Sequence, residues 1–146
     1  MATVDKEVAV KVPVAEVFSY LSEPSNLPEI WPSLMEVKEV QSLPNGGYRF
    51  QWVYKMVGMR FEGAGEYTEI VPNQWFVIET KGGISSKITW TFRSNEDMTR
   101  VTLTIEYKVP IPLLGKLAEA IIVRMNDQEG DVMMANLGAR FMITIY

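Results

Sequence analysis

Neither cysteine nor histidine occurs among the 146 residues. Their absence removes disulfide scaffolds, thiol catalysis, zinc fingers, Ser-His-Asp triads and histidine-ligated metal sites. Proton transfer is left to Asp, Glu, Lys and Tyr. Positive charge is also scarce: 14 Lys and Arg stand against 18 Asp and Glu, a formal net charge of −4. Nucleic acid, which needs clustered positive charge, is therefore not an expected partner. No apolar stretch approaches the roughly 18 residues of a membrane-crossing helix, so no integral membrane segment is expected. The opening Met1-Ala-Thr-Val-Asp-Lys-Glu shows no basic region followed by an apolar run, and no Asn-x-Ser/Thr sequon occurs, which points to the cytoplasm. Asp127, Glu129 and Asp131 would spread over about 200° of a helix without EF-hand spacing, so no metal is expected. Gly46-Gly47 and Gly82-Gly83 fall in hairpin turns rather than ahead of a helix, so they do not suggest phosphate binding, and no cofactor is implied.

What is present is an ordinary globular composition, 47% apolar and 22% charged. The length suits one domain, residues 1–146, large enough to form a core without staples. Val4, Val8, Val10 and Val12 alternate with polar residues and predict a half-buried strand. After Pro13, the residues Val14, Val17, Phe18 and Leu21 recur at helical spacing. Pro24, Pro28 and Pro32 then limit any helix around Leu27, Ile30 and Trp31 to about a turn or two, giving two short helices in a broken elbow. From residue 34 to 109, turn signals every 8 to 12 residues or so separate six further strands into an antiparallel meander. The remainder reads as one helix of about 25 to 28 residues, roughly 40 Å long. Spacing gathers Leu114, Ala118, Ile121, Ile122, Met125, Val132 and Met133 into its apolar stripe, with Lys116, Glu119, Asn126 and Asp127 elsewhere.

A tight turn at Val57-Gly58 would place Tyr54 opposite Phe61, Trp52 opposite Gly63, Phe50 opposite Gly65 and Tyr48 opposite Tyr67. Rings facing glycines argue for this register, and the alternate residues, Arg49, Gln51, Lys55, Arg60, Glu62 and Glu66, form a wet outer face. Carried onward, the inner face gains Phe76, Ile78, Thr80, Ile84, Ser86, Ile88, Trp90, Phe92, Val101, Leu103, Ile105 and Tyr107. These aromatics either fill a core against the helix or leave a pocket, because a curved seven-stranded sheet is wider than a helix about 10 Å across. Glu69 also has inner parity, at a strand end where a solvated rim position is expected.

The order of strand, broken elbow, six-stranded meander and long helix resembles the START-like superfamily, also called SRPBCC or the helix-grip fold, over the whole chain. The carrying stretches are Val8-Ala-Val-Lys-Val-Pro-Val-Ala-Glu-Val-Phe18, Glu69-Ile-Val-Pro-Asn-Gln-Trp75, Thr99-Arg-Val-Thr-Leu-Thr-Ile-Glu-Tyr107 and Ala135-Asn-Leu-Gly-Ala-Arg140. Within it the chain is most similar to the polyketide cyclase/dehydrase and lipid-transport branch. The resemblance implies an α+β fold, a seven-stranded curved antiparallel sheet wrapped around a long C-terminal helix. It also implies a cavity between them for a lipid, sterol, quinone or polyketide, and it carries no catalytic residue across.

The residues expected to line that cavity are Phe50, Trp52, Tyr54, Tyr67, Ile78, Ser86, Trp90, Tyr107, Ile121, Met125 and Glu129. Glu129 and Asn136 fall inside the apolar stripe, so either the helix turns them outward, with Gly130 permitting a bend, or the cavity uses them. Binding of a hydrophobic small molecule ranks first. A cyclase or dehydratase ranks second, with Glu129 as base and Tyr107 or Tyr54 as oxyanion donor. A complex subunit or co-chaperone working through the outer face ranks third. The apolar ending Phe141-Met-Ile-Thr-Ile-Tyr146 is expected to pack back on the sheet or to form a homodimer interface.

Overall fold

The structure, a computed structural model, describes residues 1–110 and 115–142. Seven strands, β1 (Ala2–Val10), β2 (Leu34–Ser42), β3 (Tyr48–Met56), β4 (Met59–Val71), β5 (Trp75–Gly82), β6 (Ser86–Asn95) and β7 (Met98–Tyr107), form one antiparallel sheet. The spatial order is β1-β7-β6-β5-β4-β3-β2, a meander whose first strand returns to pair with the last. Between β1 and β2 lie α1 (Val14–Ser22) and a 3-10 turn at Pro24–Glu29, the expected elbow. The long helix α2 runs unbroken over Gly115–Met142. No helix among the described residues is long and apolar enough to cross a membrane.

The β3–β4 register follows the ring-to-glycine pairing, with Tyr54 opposite Phe61, Trp52 opposite Gly63 and Phe50 opposite Gly65. Positive φ at Val57 (49°) and Gly58 (76°) turns the chain between them, the two-residue geometry that suits a twisted hairpin. Parity fails further along β4. A bulge between Tyr67 and Glu69 shifts the pairing with β5 so that Ile70 faces Phe76. Glu69 consequently turns outward, where its carboxylate accepts the Trp75 indole N–H at 2.7 Å.

The inner face is filled unevenly. At one end α1 buries Val17, Phe18 and Leu21 against an aromatic cluster in which Phe18 meets Phe76 edge-on at 5.8 Å and Tyr67 stacks on Phe76 at 5.2 Å. Trp90 is wholly buried there. The Tyr67 hydroxyl donates to the Ser22 carbonyl at 2.7 Å, closing this end.

The buried face of helix α2 is rotated from the expected stripe and shares Ile122 and Met133 with it. Ile122, Gly130, Met133, Met134, Leu137, Gly138 and Phe141 are buried, whereas Ile121, Met125 and Val132 are about half exposed. Gly130 permits close approach rather than a bend: a Cβ there would lie 2.7 Å from Val4 Cγ1. Lys6 of β1 bridges to Asp127 at 3.0 Å and Asp131 at 3.1 Å on the helix. Asn136 faces the elbow instead of the cavity, donating to the Ile30 carbonyl at 3.0 Å. Arg140 pairs with Glu29 at 3.0 Å and lies 4.1 Å above the Tyr20 ring. Of the apolar ending, Phe141 packs edge-on against Tyr20 and Met142 is exposed; residues 143–146, and Leu114 of the expected stripe, lie outside the described residues.

Candidate functional site

Where α1 and the aromatic cluster stop, the sheet and α2 part around a cavity of about 750 Å³, counted out to its mouth. Strands β3, β5, β6 and β7 supply Phe50, Trp52, Tyr54, Met56, Ile78, Thr80, Ser86, Ile88, Ile105 and Tyr107; the elbow supplies Leu27 and Trp31; α2 supplies Asn126, Glu129 and Met133.

Seven of the residues expected from the sequence lie on this wall: Phe50, Trp52, Tyr54, Ile78, Ser86, Tyr107 and Glu129. Four do not. Tyr67 and Trp90 belong to the packed aromatic end, because α1 covers their part of the inner face. Ile121 is exposed, on the helix flank away from the sheet. Met125 lines a separate outer recess of about 340 Å³, which shares Met56, Asn126 and Glu129 with the cavity wall.

Glu129 is turned inward, the second of the two alternatives open from the sequence. Its Oε1 accepts the Trp31 indole N–H at 3.0 Å and the Tyr54 hydroxyl at 2.9 Å, while Ser33 donates to Oε2. Trp31 also reaches the Tyr54 oxygen at 3.2 Å, so elbow, sheet and helix meet in one network. Burial first, and then the Glu129 charge, pushes the Tyr54 phenol well above its ordinary range, so at neutral pH it keeps its proton and donates it.

A second polar group stands nearby. Asn126, placed by apolar periodicity on the far side of the helix, faces inward and donates to the Tyr107 hydroxyl at 2.8 Å. Burial raises the Tyr107 pKa above its ordinary value, and its hydroxyl proton has no acceptor among the described residues. Deeper in, the Thr80 and Ser86 hydroxyls lie 2.5 Å apart, and Thr80 donates to the Ile84 carbonyl at 2.9 Å. The buried Trp52 indole N–H finds no acceptor among the described residues.

Trp31, Ser33 and Asn126 escape sequence reasoning for different reasons. Trp31 and Ser33 sit in the proline-broken elbow, which has no periodicity to assign a facing side. Asn126 is polar on an amphipathic helix, and patterning sends such residues to solvent. The one available signal was its spacing, three residues before Glu129 and so on the same helical face.

The chain has known counterparts. The sequence model of the family described as polyketide cyclase / dehydrase and lipid transport matches residues 1–141. No curated protein matches the sequence. Among solved structures, the Zhui aromatase/cyclase of a Streptomyces species superposes with a TM-score of 0.81 at 12% identity, covering 99% of this chain and 95% of its own. A START superfamily protein of Mycobacterium smegmatis gives 0.79 at 12% identity over 97% and 98% of the two chains. A protein of Thermus thermophilus gives 0.75 at 21% identity over 99% of each. These likenesses show the helix-grip fold, and the match along the sequence shows the family: the chain belongs to the polyketide cyclase/dehydrase and lipid-transport family.

Proposed function

We propose that the protein binds, and carries within the cytoplasm, an apolar small molecule of the size and character of a lipid, quinone or polyketide, held between the sheet and α2. The supporting observation is the wall itself: rings and aliphatic side chains from six strands, the elbow and the helix surround the cavity, with polar groups only at a few points. Open apolar volume of this kind forgoes packing that a purely structural core would make, and a ligand restores it. Native mass spectrometry of protein purified from its own cells is expected to reveal a bound lipid-like mass that denaturation releases. Protein that arrives empty and also fails to take up a neutral apolar fluorophore refutes the reading.

A second reading, a cyclase or dehydratase in the same cavity, is favoured by one specific arrangement. Glu129 and Tyr107 line the same space, and the Tyr107 proton is free to meet a developing oxyanion. Tyr54, the alternative donor, spends its proton on Glu129. Binding ranks first because three neutral donors already sit on the Glu129 oxygens, so a base would have to act through the single acceptor site left on Oε2. With a ligand that is turned over, Glu129→Gln is expected to abolish turnover while sparing binding; unchanged turnover removes Glu129 as the base.

A further inference from the structure

Of the residues that line the cavity, Glu129 alone carries a carboxylate, and none is Lys or Arg. No Lys or Arg among the described residues forms an ion pair with it, whereas Asp127 and Asp131 on the same helix share Lys6 and Arg140 has Glu29. The three groups on Glu129 are neutral donors, two on Oε1 and one on Oε2. A carboxylate offers about four acceptor sites, so one site on Oε2 remains without a donor. One helical turn away, Asn126 has committed its Nδ2 to Tyr107, leaving Oδ1 to accept. Lys55 borders the outer recess that Glu129 also touches, but it lies beyond ion-pair distance.

A carboxylate without an ion-pair partner in a largely apolar wall attracts a cation brought beside it and repels an anion. The head group of an incoming apolar molecule therefore meets an acceptor-rich, negatively charged point. We propose that Glu129 sets the charge of the ligand: the cavity prefers apolar molecules ending in a protonated amine, takes neutral hydroxyl heads more weakly, and rejects carboxylates, phosphates and sulfates. The ammonium donates to Oε2 of Glu129 and Oδ1 of Asn126 while its chain lies along Trp52, Ile78 and Ile105. This selection rests on the binding reading above and narrows it, since free fatty acids and acyl phosphates are then excluded from the ligands.

The test compares three probes of one chain length, decylamine, decanol and decanoate, as competitors of the neutral fluorophore N-phenyl-1-naphthylamine at neutral pH. The expected order of affinity is amine, then alcohol, then carboxylate, with steps of about tenfold, each equivalent to about 1.4 kcal/mol. Glu129→Gln should collapse the order by weakening the amine and strengthening the carboxylate, and Ser33→Ala, which keeps the charge, should preserve it. The ranking in the unmutated protein needs no variant to fold. Decanoate binding as tightly as decanol overturns the proposal; so does an order that survives Glu129→Gln or disappears in Ser33→Ala. Failure of the fluorophore to bind protein that also arrives empty is a different result, which refutes the binding reading and the selection with it.

Discussion

Gly63 of β4 lies between β3 and β5, paired with Trp52 on one side and Gly82 on the other. A Cβ at this position would overlap the Lys81 carbonyl oxygen and lie 2.5 Å from Trp52 Cζ2. Alanine in a strand interior would ordinarily gain about 0.5–1 kcal/mol over glycine through chain entropy. Overpacking costs about 1–3 kcal/mol, and the upper part of that range applies because the first obstacle is backbone, which cannot rotate aside. Gly63→Ala should therefore lose about 2 kcal/mol net, or about 4–8 °C in Tm for a domain of this size. Gly65→Ala is the informative control. There the obstacle is the Phe50 ring, with Cζ at 2.6 Å, and Phe50 borders open cavity into which it can swing. That variant should lose about 1 kcal/mol or less. Urea unfolding followed by tryptophan fluorescence measures both, and fluorophore titration should show reduced capacity in each as a ring is driven inward. Equal stability of Gly63→Ala and the unmutated protein, or a larger loss in Gly65→Ala, refutes the assignment of these glycines as space left for rings.

Stability should fall above pH 10. Burial raises the Tyr54 and Tyr67 phenols above the ordinary value of 10.0, so above that pH the unfolded chain ionises while the folded one does not. Their contribution is intact below pH 10 and is lost as pH rises, approaching about 1.4 kcal/mol per pH unit for each. Lys6, raised chiefly by its hydrogen bond to Asp127, acts in the same direction above 10.5; a urea midpoint unchanged between pH 8 and 11 contradicts this. Arg140→Ala removes the Glu29 pair and the contact with the Tyr20 ring, and since Arg140 is about half exposed the loss should be about 1 kcal/mol, measured by urea titration. The same titration in high salt should weaken only the ion-pair part. Truncation after Met142 should leave the fold intact, and light scattering on both forms decides whether the remaining apolar residues hold two copies together, a lower mass on truncation being the result that supports a dimer.

The strands were legible because two independent constraints agreed in them. Side chains alternate with period two, so one correct partner fixes a face, and rings opposite glycines at Trp52 and Phe50 fixed the partner. Nothing in the composition of β4 announces its bulge, and one extra residue between Tyr67 and Glu69 was enough to reverse the parity beyond it. The packed end of the inner face was misread for a tertiary reason. Parity says that Tyr67 and Trp90 point inward, but only the placement of α1 determines that the space they enter is already filled.

The helix failed for a reason tied to what it does. Reading an amphipathic helix from sequence assumes that its buried side is its apolar side. Along α2 that holds from Met133 to Phe141, where the helix packs on β1 and the elbow. Toward its N-terminal half the inward positions are Ile122, Asn126 and Glu129, while the apolar Leu117, Ile121 and Met125 lie exposed. A helix that only closes a core has no use for such an inversion, since each inward polar group must find partners at a cost in apolar contact. Glu129 and Asn126 do find them, in Trp31, Ser33, Tyr54 and Tyr107, residues far away in sequence that converge only in the folded chain. The point where the apolar pattern breaks is thus the point where polar groups enter the cavity wall, and Glu129→Leu or Asn126→Leu would restore the pattern while removing the groups on which the proposed selection of ligands depends.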